Sequence, residues 1–229
     1  MKYNWVLFDA DETLFSFDAR AGLEAMLEAH GLEASDEDFA EYQRTNRPLW
    51  LDYQAGQITA AEVQRRRFSP WAQRLQVCPL DLNRAFLTAM ADICRPLEGV
   101  WELLDSLRGR ARLGIITNGF GALQRIRLER TGLQDYFQLL VVSEQVGVAK
   151  PHPEIFRHAL RQMGWPDPGR VLMVGDNLDT DISGGLAAGL DTCWVNWHGH
   201  QAYLTPTFEV RSLAQLRERL SVQPLSTGG

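Results

Sequence analysis

Four short clusters in this 229-residue sequence bring together the residue types that phosphoryl chemistry needs. Asp9-Ala10-Asp11-Glu12-Thr13 offers two carboxylates two positions apart. Thr117-Asn118-Gly119 offers a hydroxyl and backbone N–H donors in a turn. Lys150-Pro151 offers a compact positive charge, and Gly175-Asp176, followed by Asp179 and Asp181, offers further carboxylates. If Asp9, Asp11 and Asp176 converge, three carboxylates repel one another and one takes up a proton at neutral pH. A hard divalent cation removes the conflict. Oxygen ligands, few in number, suit Mg²⁺, with Mn²⁺ as the alternative. Such a cation beside a lysine and backbone donors suits phosphoryl oxygens. Taken singly, each cluster has an ordinary explanation as a turn, a helix start or a surface loop. Their joint occurrence, in order, each at a predicted strand end or in a loop on that side, is what points to a site.

The elements that must position these clusters are legible as apolar runs. Residues 3–9, Leu113–Thr117, Leu139–Ser143, Val171–Gly175 and Thr192–Val195 read as strands buried on both faces. Helical patterns follow the middle three. Leu123 and Ile126 share a face ahead of Gly132. Ile155, Phe156, Ala159, Leu160 and Met163 form a stripe ahead of Gly164. Ile182, Leu186 and Gly189 mark a third helix. Strand and helix alternating at this spacing predict an α/β fold, a Rossmann-like parallel sheet core with helices on both faces. Ligands then bind beyond the carboxyl ends of the strands, where the polar clusters fall.

Residues 16–95 break the alternation. Leu23, Met26, Leu27 and His30 recur at helical spacing before Gly31. Ser35–Asp38 resembles an N-cap with an acidic third position, Thr59–Glu62 is a capping box, and Pro79 opens a further helix. The predicted organisation is a core of residues 1–15 and 96–229 with an all-helical insertion at 16–95. The tail, Gln223–Gly229, is predicted to fray.

Composition narrows the function classes. With 29 acidic and 23 basic residues the formal charge is −6, which disfavours a nucleic-acid polymer or an anionic membrane as partner. No run is long and apolar enough to span a bilayer, and no signal peptide is visible. The three cysteines, Cys78, Cys94 and Cys193, form no metal or disulfide pattern. The expected setting is the cytoplasm.

Asp9-x-Asp11-x-Thr13, Thr117-Asn118, Lys150-Pro151 and Gly175-Asp176-x-x-x-x-Asp181 resemble the four motifs of the haloacid-dehalogenase-like (HAD) hydrolase superfamily, and the insertion resembles its C1-type cap. Asp11 favours phosphoryl transfer over dehalogenation. The absence of lysine from residues 16–95 disfavours the phosphonate hydrolases. Phe8–Phe15, Asn46–Trp50, Ile115–Phe120, Leu128–Leu133 and Val146–Pro151 are similar to the bacterial pyrimidine 5′-nucleotidases of this superfamily. The resemblance implies a Mg²⁺-dependent phosphatase acting on UMP, dUMP and dTMP through an aspartyl phosphate. A sugar-phosphate phosphatase or phosphomutase is the alternative.

It further implies that Asp9 is the nucleophile and Asp11 the general acid and base. Asp9, Asp11 and Asp176 would hold the metal, Thr117, Asn118 and Lys150 the phosphate, and Asp181 would orient Lys150 or a water, with Asp179 a weaker candidate. Phe15, Phe17, Trp50 and Tyr53 are candidates for a base-stacking face, and Arg44 and Arg47 for ribose or base contacts. Arg65-Arg66-Arg67 is predicted to be a solvated helix face, and His198-Gly199-His200 a loop. The partner expected is a small phosphate ester, and the assembly a monomer or homodimer.

Overall fold

The computed structural model describes residues 1–221; the predicted frayed tail, Gln223–Gly229, lies outside them. β1 (Trp5–Phe8) has all four side chains buried, as a strand covered on both faces requires. After the turn Asp9–Phe15 come α1 (Ala19–Glu28), α2 (Asp36–Gln54), α3 (Ala60–Arg66), α4 (Ser69–Leu75) and α5 (Pro79–Ile93). Local chemistry sets their ends. The Asp18 carboxylate accepts from Ala21 N, and Ser35 with Asp38, and Thr59 with Glu62, form reciprocal capping boxes. Pro79 occupies the first turn of α5, where its missing N–H costs nothing.

The exit and return of this helical segment lie side by side. Ser16 N donates to Arg95 O at 2.9 Å and Leu97 N to Leu14 O at 2.9 Å. Beyond it the chain alternates through α6 (Val100–Leu107), β2 (Arg112–Thr117), α7 (Gly121–Thr131), β3 (Leu139–Val142), α8 (Ser143–Val146), α9 (Pro153–Gln162) and β4 (Val171–Gly175). A π turn at Leu178–Ile182 leads into α10 (Ser183–Ala187), β5 (Asp191–Val195), β6 (Phe208–Val210) and α11 (Leu213–Ser221).

The strands form one sheet in the order β3-β2-β1-β4-β5-β6, with every neighbouring pair parallel. Strand order reverses at β1, so the loops after β1, β2 and β4 open a crevice there. Val6, Phe8 and Ile115 pack with α6 and α11 on one face; Leu7, Ile116 and Met173 pack with α9 on the other. A third cluster, built on Leu23, Tyr42, Phe68, Trp71 and Phe86 of the helical segment, extends to Phe120 and Leu123 beyond β2. Among the described residues no helix is long and apolar enough to cross a membrane.

Two expectations change. β6 has no apolar run; it is a strand because Cys193, Trp194 and Val195 of β5 offer it a register. Leu186 is exposed, and Gly184 and Gly185 face inward instead. A Cβ on Gly184 would stand 2.4 Å from the Phe156 ring, and one on Gly185 2.8 Å from Thr192 Cγ2, so α10 packs through its backbone.

Candidate active site

The end of β1 delivers Asp9 into the crevice, its N–H bonded to Val174 O at 2.8 Å. Lys150, buried to 1% exposure, places Nζ 2.5 Å from Asp9 Oδ1, 2.8 Å from Asp181 Oδ1 and 2.7 Å from Ile116 O. These acceptors use all three donors of an ammonium. Burial opposes the charge on Lys150, but the Asp181 and Asp9 carboxylates overcome it and hold the amine above the ordinary lysine range. The Asn118 amide bonds both ways to the Lys150 backbone, Nδ2 to O at 2.9 Å and N to Oδ1 at 2.7 Å. Its side chain thus fixes the lysine loop. The Thr117 hydroxyl accepts from Gly119 N at 3.0 Å, which frees its own hydrogen to donate.

Gly175 explains how Asp181 reaches the site. A Cβ there would stand 2.2 Å from Asp181 Oδ2, so only glycine admits this carboxylate against the end of β4. Oxygens of Asp9, Asp176 and Asp181 lie within 4.8 Å of one another. Asp181 is already engaged, by Lys150 and by Asn177 N at 3.1 Å. Asp9 meets Lys150 through Oδ1 alone, and Asp176 Oδ1 accepts from Thr13 Oγ1 at 3.3 Å; burial pushes Asp9 up to about 7 and Asp176 up to about 8. Two buried carboxylates with raised affinity for positive charge are a donor set that fits a hard divalent cation. Asp179 stays at the surface and accepts from the Tyr203 hydroxyl.

Asp11 stands apart from that trio. Its Oδ1 is 2.5 Å from Nη1 of Arg127, a fully buried arginine. The guanidinium also bonds Gln124 Oε1 at 2.9 and 2.5 Å and lies 4.5 Å over the Phe15 ring. Arg127 has no neighbour in sequence that singles it out.

A cavity of about 330 Å³ joins these groups to the helical segment. Its floor carries Asp9, Asp11, Thr117, Asn118, Lys150 and Asp176. Its far wall carries Tyr42, Asn46, Trp50, Arg67, Phe86 and Phe120. Of the aromatic candidates, Phe17 and Trp50 line it. Phe15 lies in the sheet core, and the Tyr53 hydroxyl instead bonds Ser143 Oγ at 2.8 Å. Arg44 pairs with Glu37 on the surface, and Arg47 is exposed. His198 and His200 lie in an exposed loop.

Arg67 overturns the expectation of a solvated arginine run. Arg65 and Arg66 are exposed, but Arg67 is 3% exposed, among Phe68, Phe86 and Phe120 at 4.9–5.0 Å. The reason is helical phase: Ala60, Val63 and Arg67 fall at i, i+3 and i+7, and the first two are buried. That spacing was the signal available in the sequence. Asn46 and Phe120, also on the wall, carry no comparable signal.

A family model described as haloacid dehalogenase-like hydrolase matches residues 3–189. The chain is 55% identical to pyrimidine 5′-nucleotidase YjjG of Escherichia coli over 96% of this chain and 99% of that one. It is 33% identical to pyrimidine 5′-nucleotidase PynA of Streptococcus pneumoniae over 96% of each. Among solved structures, the magnesium-bound HAD-hydrolase YfnB of Bacillus subtilis superposes with a TM-score of 0.79 at 30% identity, covering 96% of this chain and 99% of that one.

Proposed function

The chain belongs to the haloacid dehalogenase-like hydrolase family, and from that premise we propose that it hydrolyses pyrimidine nucleoside 5′-monophosphates such as dUMP, UMP and dTMP. The observation that carries the proposal is the single cavity with two unlike ends: carboxylates, Lys150 and the Thr117 hydroxyl on the floor, aromatic rings on the wall. One end suits a phosphate and the other a flat apolar leaving group. The choice of a pyrimidine rests on the E. coli and S. pneumoniae relatives.

In this scheme Asp9 attacks phosphorus through Oδ2, since Lys150 occupies Oδ1. The bond from phosphorus to the nucleoside O5′ breaks, and Asp11 gives that oxygen a proton. Asp11 then takes a proton from the water that attacks the aspartyl phosphate; the phosphorus–Asp9 bond breaks and phosphate leaves. Thr117 Oγ and the Asn118 N–H bind the non-bridging oxygens, and Lys150, its three donors taken by the protein, adds positive charge beside them. Asp181 keeps Lys150 aimed at Asp9. Mg²⁺ would be held by the carboxylates of Asp9 and Asp176 and the backbone carbonyl of Asp11, and when bound it supplies the positive charge that lets an anionic nucleophile approach an anionic phosphate. Residues 16–95 act as a cap that supplies the leaving-group wall. The expected setting is the cytoplasm.

The test is phosphate release from a panel of nucleotides and sugar phosphates, with and without Mg²⁺. Mg²⁺-dependent release, faster from dUMP, UMP and dTMP than from purine nucleotides, is expected. Preference for a sugar phosphate overturns the nucleotide assignment. Asp9→Asn is expected to lower kcat by at least about 10⁴-fold with the fold intact, and near-normal turnover by that variant overturns the chemistry.

A further inference from the structure

Arg67 and Asn46 are wall groups that the proposed chemistry leaves without a task. Arg67 is a buried guanidinium whose polar neighbours in the protein are neutral. Nε and Nη2 share Asn83 Oδ1 at 2.8 and 2.5 Å, and the other polar neighbour is the Tyr42 hydroxyl. Among the described residues it makes no ion pair with a carboxylate, unlike the equally buried Arg127 and Lys150. A buried cation without a counter-ion is costly unless its remaining donors find acceptors. Asn46 shows the complementary need: Oδ1 is buried and has no hydrogen-bond partner. Both residues line the cavity that holds Asp9. Arg67 lies 4.9 Å from the Phe86 and Phe120 rings, and Phe120 packs 5.2 Å from Trp50, so this polar pair is set into an apolar wall.

A buried cation with no carboxylate partner and a buried acceptor with no partner, both lining one aromatic cavity, suit a planar ligand that presents a carbonyl oxygen next to an N–H. That is the imide edge of uracil and thymine. Cytosine presents the reverse, a ring nitrogen acceptor beside an exocyclic donor. Resting on the nucleotidase assignment, we propose that Arg67 and Asn46 read the base: Arg67 donates to a ring carbonyl oxygen, and Asn46 Oδ1 accepts from the imide N–H. The pair therefore selects uracil and thymine nucleotides over cytosine nucleotides at a point remote from the phosphorus. No charge is transferred and no bond is made; the effect is discrimination in kcat/KM.

The test compares dUMP, N3-methyl-dUMP, dCMP and 2-deoxyribose 5-phosphate on the wild type, Arg67→Met and Asn46→Leu. The wild type is expected to prefer dUMP to each of the others. Arg67→Met is expected to lower kcat/KM for dUMP about 10- to 100-fold, the range for a hydrogen bond to a charged group. Its kcat/KM for 2-deoxyribose 5-phosphate, which has no base, should stay within about 3-fold, because the phosphate end is untouched. Asn46→Leu should bring N3-methyl-dUMP close to dUMP. If Arg67→Met does not fold, Asn46→Leu and the N3-methyl comparison on the wild type decide the matter. A wild type that hydrolyses the sugar phosphate as well as dUMP overturns the nucleotidase assignment itself. A wild type that prefers dUMP, while N3-methylation and both variants leave that preference intact, overturns the base-reading pair alone.

Discussion

Lys150→Met removes the cation that holds the acidic cluster together, and the structure bounds the cost. In the wild type Nζ is 2.5 Å from Asp9 Oδ1 and 2.8 Å from Asp181 Oδ1, with all three groups buried. Methionine fills nearly the same volume, so packing loss is minor and the electrostatic loss dominates. Stripping one partner from a buried pair costs about 3–5 kcal/mol. Protonation caps that figure, because a stranded carboxylate takes up a proton rather than stay charged. Holding a proton on a group of ordinary pKa about 3.9 costs about 1.36 kcal/mol per pH unit, hence about 5 kcal/mol at about pH 7.5 and about 3 kcal/mol at about pH 6. The expected outcome in urea titrations without metal is a loss of about 3–5 kcal/mol at about pH 7.5 that shrinks by about 2 kcal/mol on acidification to about pH 6. Saturating Mg²⁺ should recover part of the loss, because it supplies positive charge to the same carboxylates. A metal-free variant within about 1 kcal/mol of wild type at about pH 7.5, or a loss independent of pH, would refute the reasoning.

The raised values of Asp9, about 7, and Asp176, about 8, mean that the metal-free folded state binds protons the unfolded state has released. Metal-free stability is therefore expected to fall as pH rises from about 4 through about 8, and the Mg²⁺-induced rise in Tm to grow over about pH 6–8.5 as those protons leave; calorimetry with and without Mg²⁺ checks both, and a flat response refutes them. Asp38, the reciprocal partner of the Ser35 cap in α2, accepts from Ser35 N and Oγ, Trp71 Nε1 and Arg74 Nη2, which hold its carboxyl down at about 2. Asp38→Ala should cost about 2–4 kcal/mol in urea titrations, the sum of a lost cap and an orphaned buried indole N–H, and a loss under about 1 kcal/mol would show that these bonds matter little. Gly184→Ala should lower Tm despite the better helix propensity of alanine. Its Cβ meets the Phe156 ring and Pro151 Cα, and overpacking of this kind costs about 1–3 kcal/mol; a raised Tm would show that α9 and α10 can move apart.

The sequence shows what depends on local pattern and hides what depends on distant partners. Asp9, Thr117, Lys150 and Asp176 were legible because each ends an apolar run or sits in the loop on that side, and parallel topology gathers those positions. The capping boxes at Ser35 and Thr59 were legible because four adjacent residues define them. β6 was not, since its strand character comes from β5. The Asp11–Arg127 pair was not, since the two residues are 116 positions apart. Tyr53 has the residue type of a base-stacking group, yet the free hydroxyl of Ser143 draws it into a bridge between α2 and α8. Arg67 was half legible: its chemistry suggested solvent, its helical phase suggested core, and the aromatic surroundings that accept a guanidinium settled the conflict.

The two carboxylates of the first motif sit two residues apart but in mechanically different places. Asp9 is tied to the sheet by its N–H bond to Val174 O. Asp11 lies in the turn from which the helical segment departs. Leu14 N and Phe15 N both bond Ala10 O at 3.0 Å, and Glu12, at φ 56°, gives its N–H to Phe15 O at 2.7 Å. Ser16 and Leu14 then pair with Arg95 and Leu97 at the segment's return. The turn carrying Asp11 is thus the link between the sheet and the helical segment, whereas Asp9 belongs to the strand end. In the proposed reaction the nucleophile needs a fixed line to phosphorus, and the acid and base must serve first a leaving oxygen and then a water. Asp9 is fixed by the strand and Asp11 by Arg127 from α7, so each carboxylate is positioned by a different part of the core. In that scheme the insertion joins the core at the turn that carries the acid and base and also supplies the leaving-group wall.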